Sequence, residues 1–87
     1  MSLDTVKLIF ANRYDVSADN LTAESLISDV CTDSLEILEL LMYIEEEFSV
    51  AVPDEVAQEF KTLGDIAAFM EGNIPEEKIA EIRNKLL

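Results

Sequence analysis

Four stretches of the chain repeat apolar residues at the spacing of a helix packed on one side, and between them that rhythm lapses. Leu3, Val6, Ile9, Phe10 and Tyr14 predict a helix over residues 3–14, with Ser2 placed to cap it. Ile37, Leu40, Leu41, Ile44 and Phe48 predict a second over 34–48. Thr62-Leu63-Gly64-Asp65 reads as a cap with an acid three positions on, opening a helix over 63–71 whose core face carries Ile66, Phe69 and Met70 and which Gly72 ends. Ile79, Ile82 and Leu86 fall at i, i+3 and i+7 in the tail, after Pro75, Glu76 and Glu77 and among Arg83 and Lys85, the charge order the helix dipole favours. A shorter helix over 54–60 is led by Pro53 and Asp54. Residues 15–32 show no period. They read as a long loop pinned across the bundle by Val16, Leu21, Leu26, Ile27 and Val30.

The 34–48 helix differs from the others because it has two apolar faces. At about 100° per residue, Leu35, Leu38 and Met42 line up nearly opposite the core stripe. Glu39 and Glu46 lie within that second face, and Glu45 at its edge. A purely structural helix has no need of apolar residues set among acids on its solvent side, so the second face reads as a docking surface, with Glu36 added at its start. The N-terminal end of the same helix resembles a capping box, Asp33 followed three residues later by Glu36. Ser34 then takes the first helical position, where its hydroxyl is not needed as cap. An ester phosphate there would meet the positive end of the helix dipole. Taken alone, Asp-Ser before an apolar run is also what an ordinary helix start looks like.

Composition narrows the classes. The chain has 87 residues, one domain's worth, with a net charge of −13 and no histidine. All six basic residues lie outside positions 14–60, while acids recur through that span. Such a balance argues against nucleic acid and anionic membranes and favours basic partner proteins met by electrostatic steering. The one cysteine, Cys31, cannot close an intrachain disulfide and reads as a small, partly buried residue. No acid–base or nucleophile–base pair can be assembled without histidine, and neither a zinc set nor a calcium loop is present. The first residues lack the basic lead and apolar run of a secretion signal, which predicts a cytoplasmic protein.

Asp33-Ser34-Leu35, Glu39-Leu40, Glu45-Glu46-Glu47-Phe48 and Val52-Pro53-Asp54-Glu55, at these intervals, resemble the acyl carrier protein family. The likeness runs from about Leu3 to about Glu71. Two departures stand out: Cys31 occupies the place where the family usually has glycine, and the chain continues past the usual end.

The resemblance implies an all-α fold, a four-helix bundle of three longer helices and one short. Residues 1–72 would form it, and residues 73–87 would add a fifth, C-terminal helix packed on the bundle. It implies a monomeric, non-catalytic carrier. A phosphopantetheinyl transferase would move 4′-phosphopantetheine from coenzyme A onto Ser34, flanked by Asp33 and Leu35. Acyl groups held on that arm as thioesters would go to acyl-loading, condensing or acyltransferase enzymes of fatty acid, lipid or polyketide-type biosynthesis. Basic patches on those enzymes would meet Glu36, Leu38, Glu39, Met42, Glu45 and Glu46, and the acyl chain would shelter among Leu40, Ile44, Phe48 and Phe69. An aminoacyl or peptidyl carrier, or an acidic helical interaction domain that is never modified, would share much of this pattern.

Overall fold

The computed structural model describes residues 1–87 and is helical throughout, with six α-helices and no strand. In chain order they are α1 (Ser2–Arg13), α2 (Ile27–Val30), α3 (Ser34–Phe48), α4 (Asp54–Ala57), α5 (Leu63–Asn73) and α6 (Glu76–Leu86), with a single 3₁₀ turn at Ala18–Asn20. Helix α1 lies against both α5 and α6, and α6 also meets α3. One core joins them. Ile9 and Phe10 of α1, Leu40 and Ile44 of α3, Leu63, Ile66 and Met70 of α5, and Ile79 and Ile82 of α6 are all buried in it. The radius of gyration, 11.7 Å, matches the roughly 12 Å of a close-packed chain of this length, so α6 does not project from the bundle.

The long periodic helices form where their apolar spacing predicts, and the differences have local causes. Ser2 does not cap α1: it is buried inside the first turn, and Met1 takes the cap position without a side-chain bond. Helix α5 does not end at Gly72, which keeps a negative φ within the helix. It ends after Asn73, because Ile74 precedes Pro75 and is driven to extended backbone (φ −127°, ψ 132°). The 54–60 helix is shorter than its pattern, since residues after Ala57 tighten into i→i+3 turns. These carry Phe60 edge-on to Phe69, with ring centroids 5.7 Å apart.

The 15–32 segment contains one helix that its sequence does not announce. Helix α2 has four residues and only Ile27 fully buried, too short to show a period. Apolar anchors and backbone pin the segment together: Leu21 and Ile27 are in the core, and Val16 and Val30 pack against it. Leu26 is exposed, whereas the Ile27 amide donates to Lys61 O, the Leu63 amide to Ser25 O and the Gly64 amide to Ala23 O, at 2.9–3.0 Å. Gly64 permits that approach, since a Cβ there would stand 3.0 Å from the Ala23 carbonyl oxygen. At the joint, Thr62 and Asp65 form the expected capping box. The Asp65 carboxylate accepts from the Lys61 and Thr62 amides, which hold its pKa below the usual aspartate value.

Candidate functional site

Helix α3 begins at Ser34 because Asp33 ends the extended segment before it and takes the cap. Asp33 Oδ1 accepts from the Leu35 amide at 2.7 Å, and the Asp33 carbonyl accepts from the Ile37 amide. The reciprocal bond from Glu36 that would complete a capping box is not made, so the cap is Asp33 alone. Ser34 is exposed at the first helical position. The Ser34 and Glu36 amides find no carbonyl partner, which leaves donors at the positive end of the helix. A phosphodiester on the Ser34 oxygen fits this arrangement: space is open, donors are free, and no bond has to break. Asp33 and Glu36 beside it favour a phosphate that points outward over one folded in.

The second apolar face is exposed as its sequence predicts. Leu35, Leu38 and Met42 are 59%, 53% and 49% accessible, with Glu39 and Glu46 exposed among them. Two acids near the C-terminal end of α3 have internal work instead. Glu45 Oε2 accepts from the Val52 amide at 2.8 Å, closing the turn after the helix, and Glu47 Oε1 accepts from Lys85 Nζ of α6 at 2.8 Å. That turn begins at Ser49 in the left-handed region (φ 53°, ψ 50°). The three consecutive glutamates therefore divide. Glu46 alone is free for another molecule, while Glu45 is half-buried and committed to the fold.

A cavity of about 240 Å³ opens beside the first turns of α3, between α2, α4 and the start of α5. Leu26, Ile27, Ser28, Ile37, Leu40, Leu41, Ala57, Phe60, Lys61 and Ile66 line it. Of the four residues the sequence puts on such a pocket, only Leu40 is on its wall. Ile44 and Phe48 lie deeper in α3's buried stripe, filled by neighbouring side chains, and Phe69 packs on Phe60 outside it. Ile37 and Leu41, read as core, face the cavity instead. Sequence reasoning missed Leu26, Ile27 and Phe60 because each sits on a loop or a single helical turn, where no period marks a face.

Behind Ser34 the chain is held from α1. Cys31 is the one fully buried residue between Ile27 and Leu40, at 1% accessibility. The hydroxyl of Tyr14, at the end of α1, lies against the Cys31 thiol and donates to the Glu36 carbonyl oxygen at 3.4 Å. Burial, followed by the Cys31 contact, pushes the Tyr14 hydroxyl up to about 12. Burial likewise raises the Cys31 thiol, so both keep their protons near neutral pH. The adjacent Arg13 lies over the Tyr43 ring of α3, 5.0 Å from its centroid. No group of His, Cys, Asp and Glu side chains could hold a metal ion, and no helix is long and apolar enough to cross a membrane.

A family profile described as a phosphopantetheine attachment site matches residues 4–70. An acyl carrier protein of Clostridium perfringens is 44% identical over 68 residues, covering 77% of this chain and 90% of that protein. One from Helicobacter hepaticus is 38% identical over 73 residues, covering 83% of this chain and 96% of that protein. The family match stops before α6.

Proposed function

The chain belongs to the acyl carrier protein family, and on that premise we propose that Ser34 is the residue that carries its 4′-phosphopantetheine. It is a carrier and not an enzyme, working with a phosphopantetheinyl transferase and with biosynthetic enzymes. When bound, the prosthetic group supplies a terminal thiol that holds an acyl group as a thioester. The residues of the chain present, guide and shelter. Asp33 takes the cap role that a serine would otherwise fill, and the observation that carries the reading is the exposed Ser34 hydroxyl this leaves at the head of α3.

Leu35, Leu38 and Met42 supply apolar contact for a partner, and Glu36, Glu39 and Glu46 steer basic patches toward it. Glu45 serves that face less than its sequence position implies, because its carboxylate is already bound to the Val52 amide. The cavity lined by Ile37, Leu40, Leu41, Phe60 and Ile66 shelters an apolar acyl chain, one to two helical turns along α3 from Ser34. It replaces the deeper set of Ile44, Phe48 and Phe69. The cargo goes to fatty acid, lipid or polyketide-type synthesis.

The test is intact-mass spectrometry of the unmodified protein after incubation with coenzyme A and a broad-specificity transferase. The parent gains one phosphopantetheinyl unit and Ser34→Ala gains none. An unchanged parent, or a modified alanine variant, refutes the assignment.

A further inference from the structure

We propose that Tyr14 and Cys31 are positioning residues for the modification of Ser34, a latch that fixes the first turn of α3 from behind. The proposal rests on the reading of Ser34 as attachment site, and it concerns Cys31, where the family usually has glycine, and the tyrosine beside it. From Ser28 to Glu39 the chain offers the core a single fully buried side chain, Cys31. The stretch that presents Ser34 would otherwise be tethered only through half-buried residues. Cys31 is fixed at its own end by its amide, which donates to Ile27 O at 2.8 Å and closes α2.

Tyr14 stands on the other side. Its ring packs on Phe10, which is wholly buried, at 5.7 Å between centroids, so the hydroxyl is placed by a rigid neighbour. A phenol has one proton and two lone pairs. The proton goes to the Glu36 carbonyl, and the Cys31 thiol lies against the hydroxyl as a packing contact. The chain of contacts Cys31, Tyr14, Glu36 thus ties the residue three before Ser34 to the residue two after it, through α1. At 3.4 Å the bond to Glu36 is long, so each link is weak and the pair acts as a unit.

Loss of the latch leaves the docking face intact and loosens only the serine. Leu38, Glu39 and Met42 lie further along α3, where Arg13 on Tyr43 and the buried Leu40 and Ile44 hold the helix. A partner would still bind, with the nucleophilic oxygen less often in line. Such a defect appears in kcat and not in KM.

The experiment measures transferase kinetics with coenzyme A in excess for the parent, Tyr14→Phe, Cys31→Ala and Cys31→Ser. Amide hydrogen exchange on the unmodified proteins accompanies it. Tyr14→Phe, which keeps the ring, lowers kcat about two- to fivefold, the scale of one modest hydrogen bond, with KM unchanged within about twofold. Exchange quickens at Ile37, the first amide of α3 bonded to a backbone carbonyl, and stays parental at Ile44–Phe48. Cys31→Ser, which keeps a side-chain atom of similar size against Tyr14, is faster than Cys31→Ala. Parental kcat in Tyr14→Phe overturns the latch, as does exchange that quickens evenly along the chain, or serine no better than alanine at position 31. If the parent takes up no arm, the reading of Ser34 fails, while the exchange pattern still judges the latch by itself.

Discussion

The two ends of α3 are built to opposite specifications. At its end, Ile44 and Phe48 are buried, Glu45 closes the following turn, and Glu47 ties to Lys85 of α6. At its start, Ser34 and Leu35 stand in solvent beside a cavity, held by one aspartate cap and by the weak contacts of Tyr14 and Cys31. A single helix of 15 residues carries both, because a rigid rod fixed firmly at one end can present the other without burying it. Stability is gathered where α6 packs and accessibility where Ser34 sits. Local free energies of opening differ along a fold in just this way.

Breaking the firm end has the largest effect. Ile79 is 2% accessible and packs α6 into the common core, so Ile79→Ala costs about 2–5 kcal/mol. For a domain of this size that corresponds to a melting temperature lower by about 10 °C or more, read by circular dichroism. The attachment rate at Ser34 holds well below the melt, because α6 contributes no residue to the cavity lining and Lys85 meets α3 at the end far from Ser34. A parental melt would show that α6 is kept for something other than the core.

The loosely held end responds to alkali. Cys31 and Tyr14 have folded pKa values raised above their ordinary 9.0 and 10.0, to about 12 for Tyr14. A raised acid binds its proton more tightly when folded. The stability linked to it is therefore present below the unfolded pKa and is lost as pH climbs through the folded one. The window opens near pH 9.0, where unfolded Cys31 ionises, and extends to about 12. The melting temperature falls across it, and falls less steeply in a Tyr14→Phe, Cys31→Ala double variant. Equal slopes in the two proteins would remove these groups from the account. Tyr43, raised by burial and then by Glu47, titrates in both proteins alike and cancels.

The smallest effect on stability sharpens the comparison from the outside. Glu39 is exposed and bonded to nothing within the chain, so Glu39→Lys leaves the melt within about 0.5 kcal/mol. It slows modification of Ser34 several-fold at low salt and flattens the salt dependence, since exposed charges act mainly on association rate. Reversal of Glu47 does the converse, loosening α6 through loss of Lys85 with little change in the encounter. A Glu39→Lys protein modified at the parental rate at low salt would mark this surface as serving solubility alone.

Much of this was legible in the chain, for reasons that particular residues make plain. Asp33 and Ser34 ahead of a periodic apolar run identify a helix start, because the cap bond and the burial pattern are both local. Leu35, Leu38 and Met42 fall on a second face by spacing alone and are exposed as that spacing predicts. The cavity was not legible. Its wall joins Ile37 and Leu41 to Leu26 and Phe60, residues brought together only when the 15–32 segment bridges to the start of α5. The two internal glutamates were not legible either. Glu45, Glu46 and Glu47 are identical by composition, and their separate tasks depend on where Val52 and Lys85 arrive.

The sequence by itself determined the long helices, the exposed serine at the head of α3 and the acidic, apolar face beside it. Each follows from interactions within a few residues: a 3.6-residue period, a side chain capping an amide two positions on, a proline forcing its predecessor out of the helix. Tertiary structure decided which buried residues leave a cavity and which fill one, which acids are spent inside the fold, and that Tyr14 of α1 reaches over Cys31 to Glu36. Those outcomes depend on close packing between elements far apart in the chain. Shifts smaller than a methyl group decide there whether two atoms touch, and no periodicity along one segment encodes them.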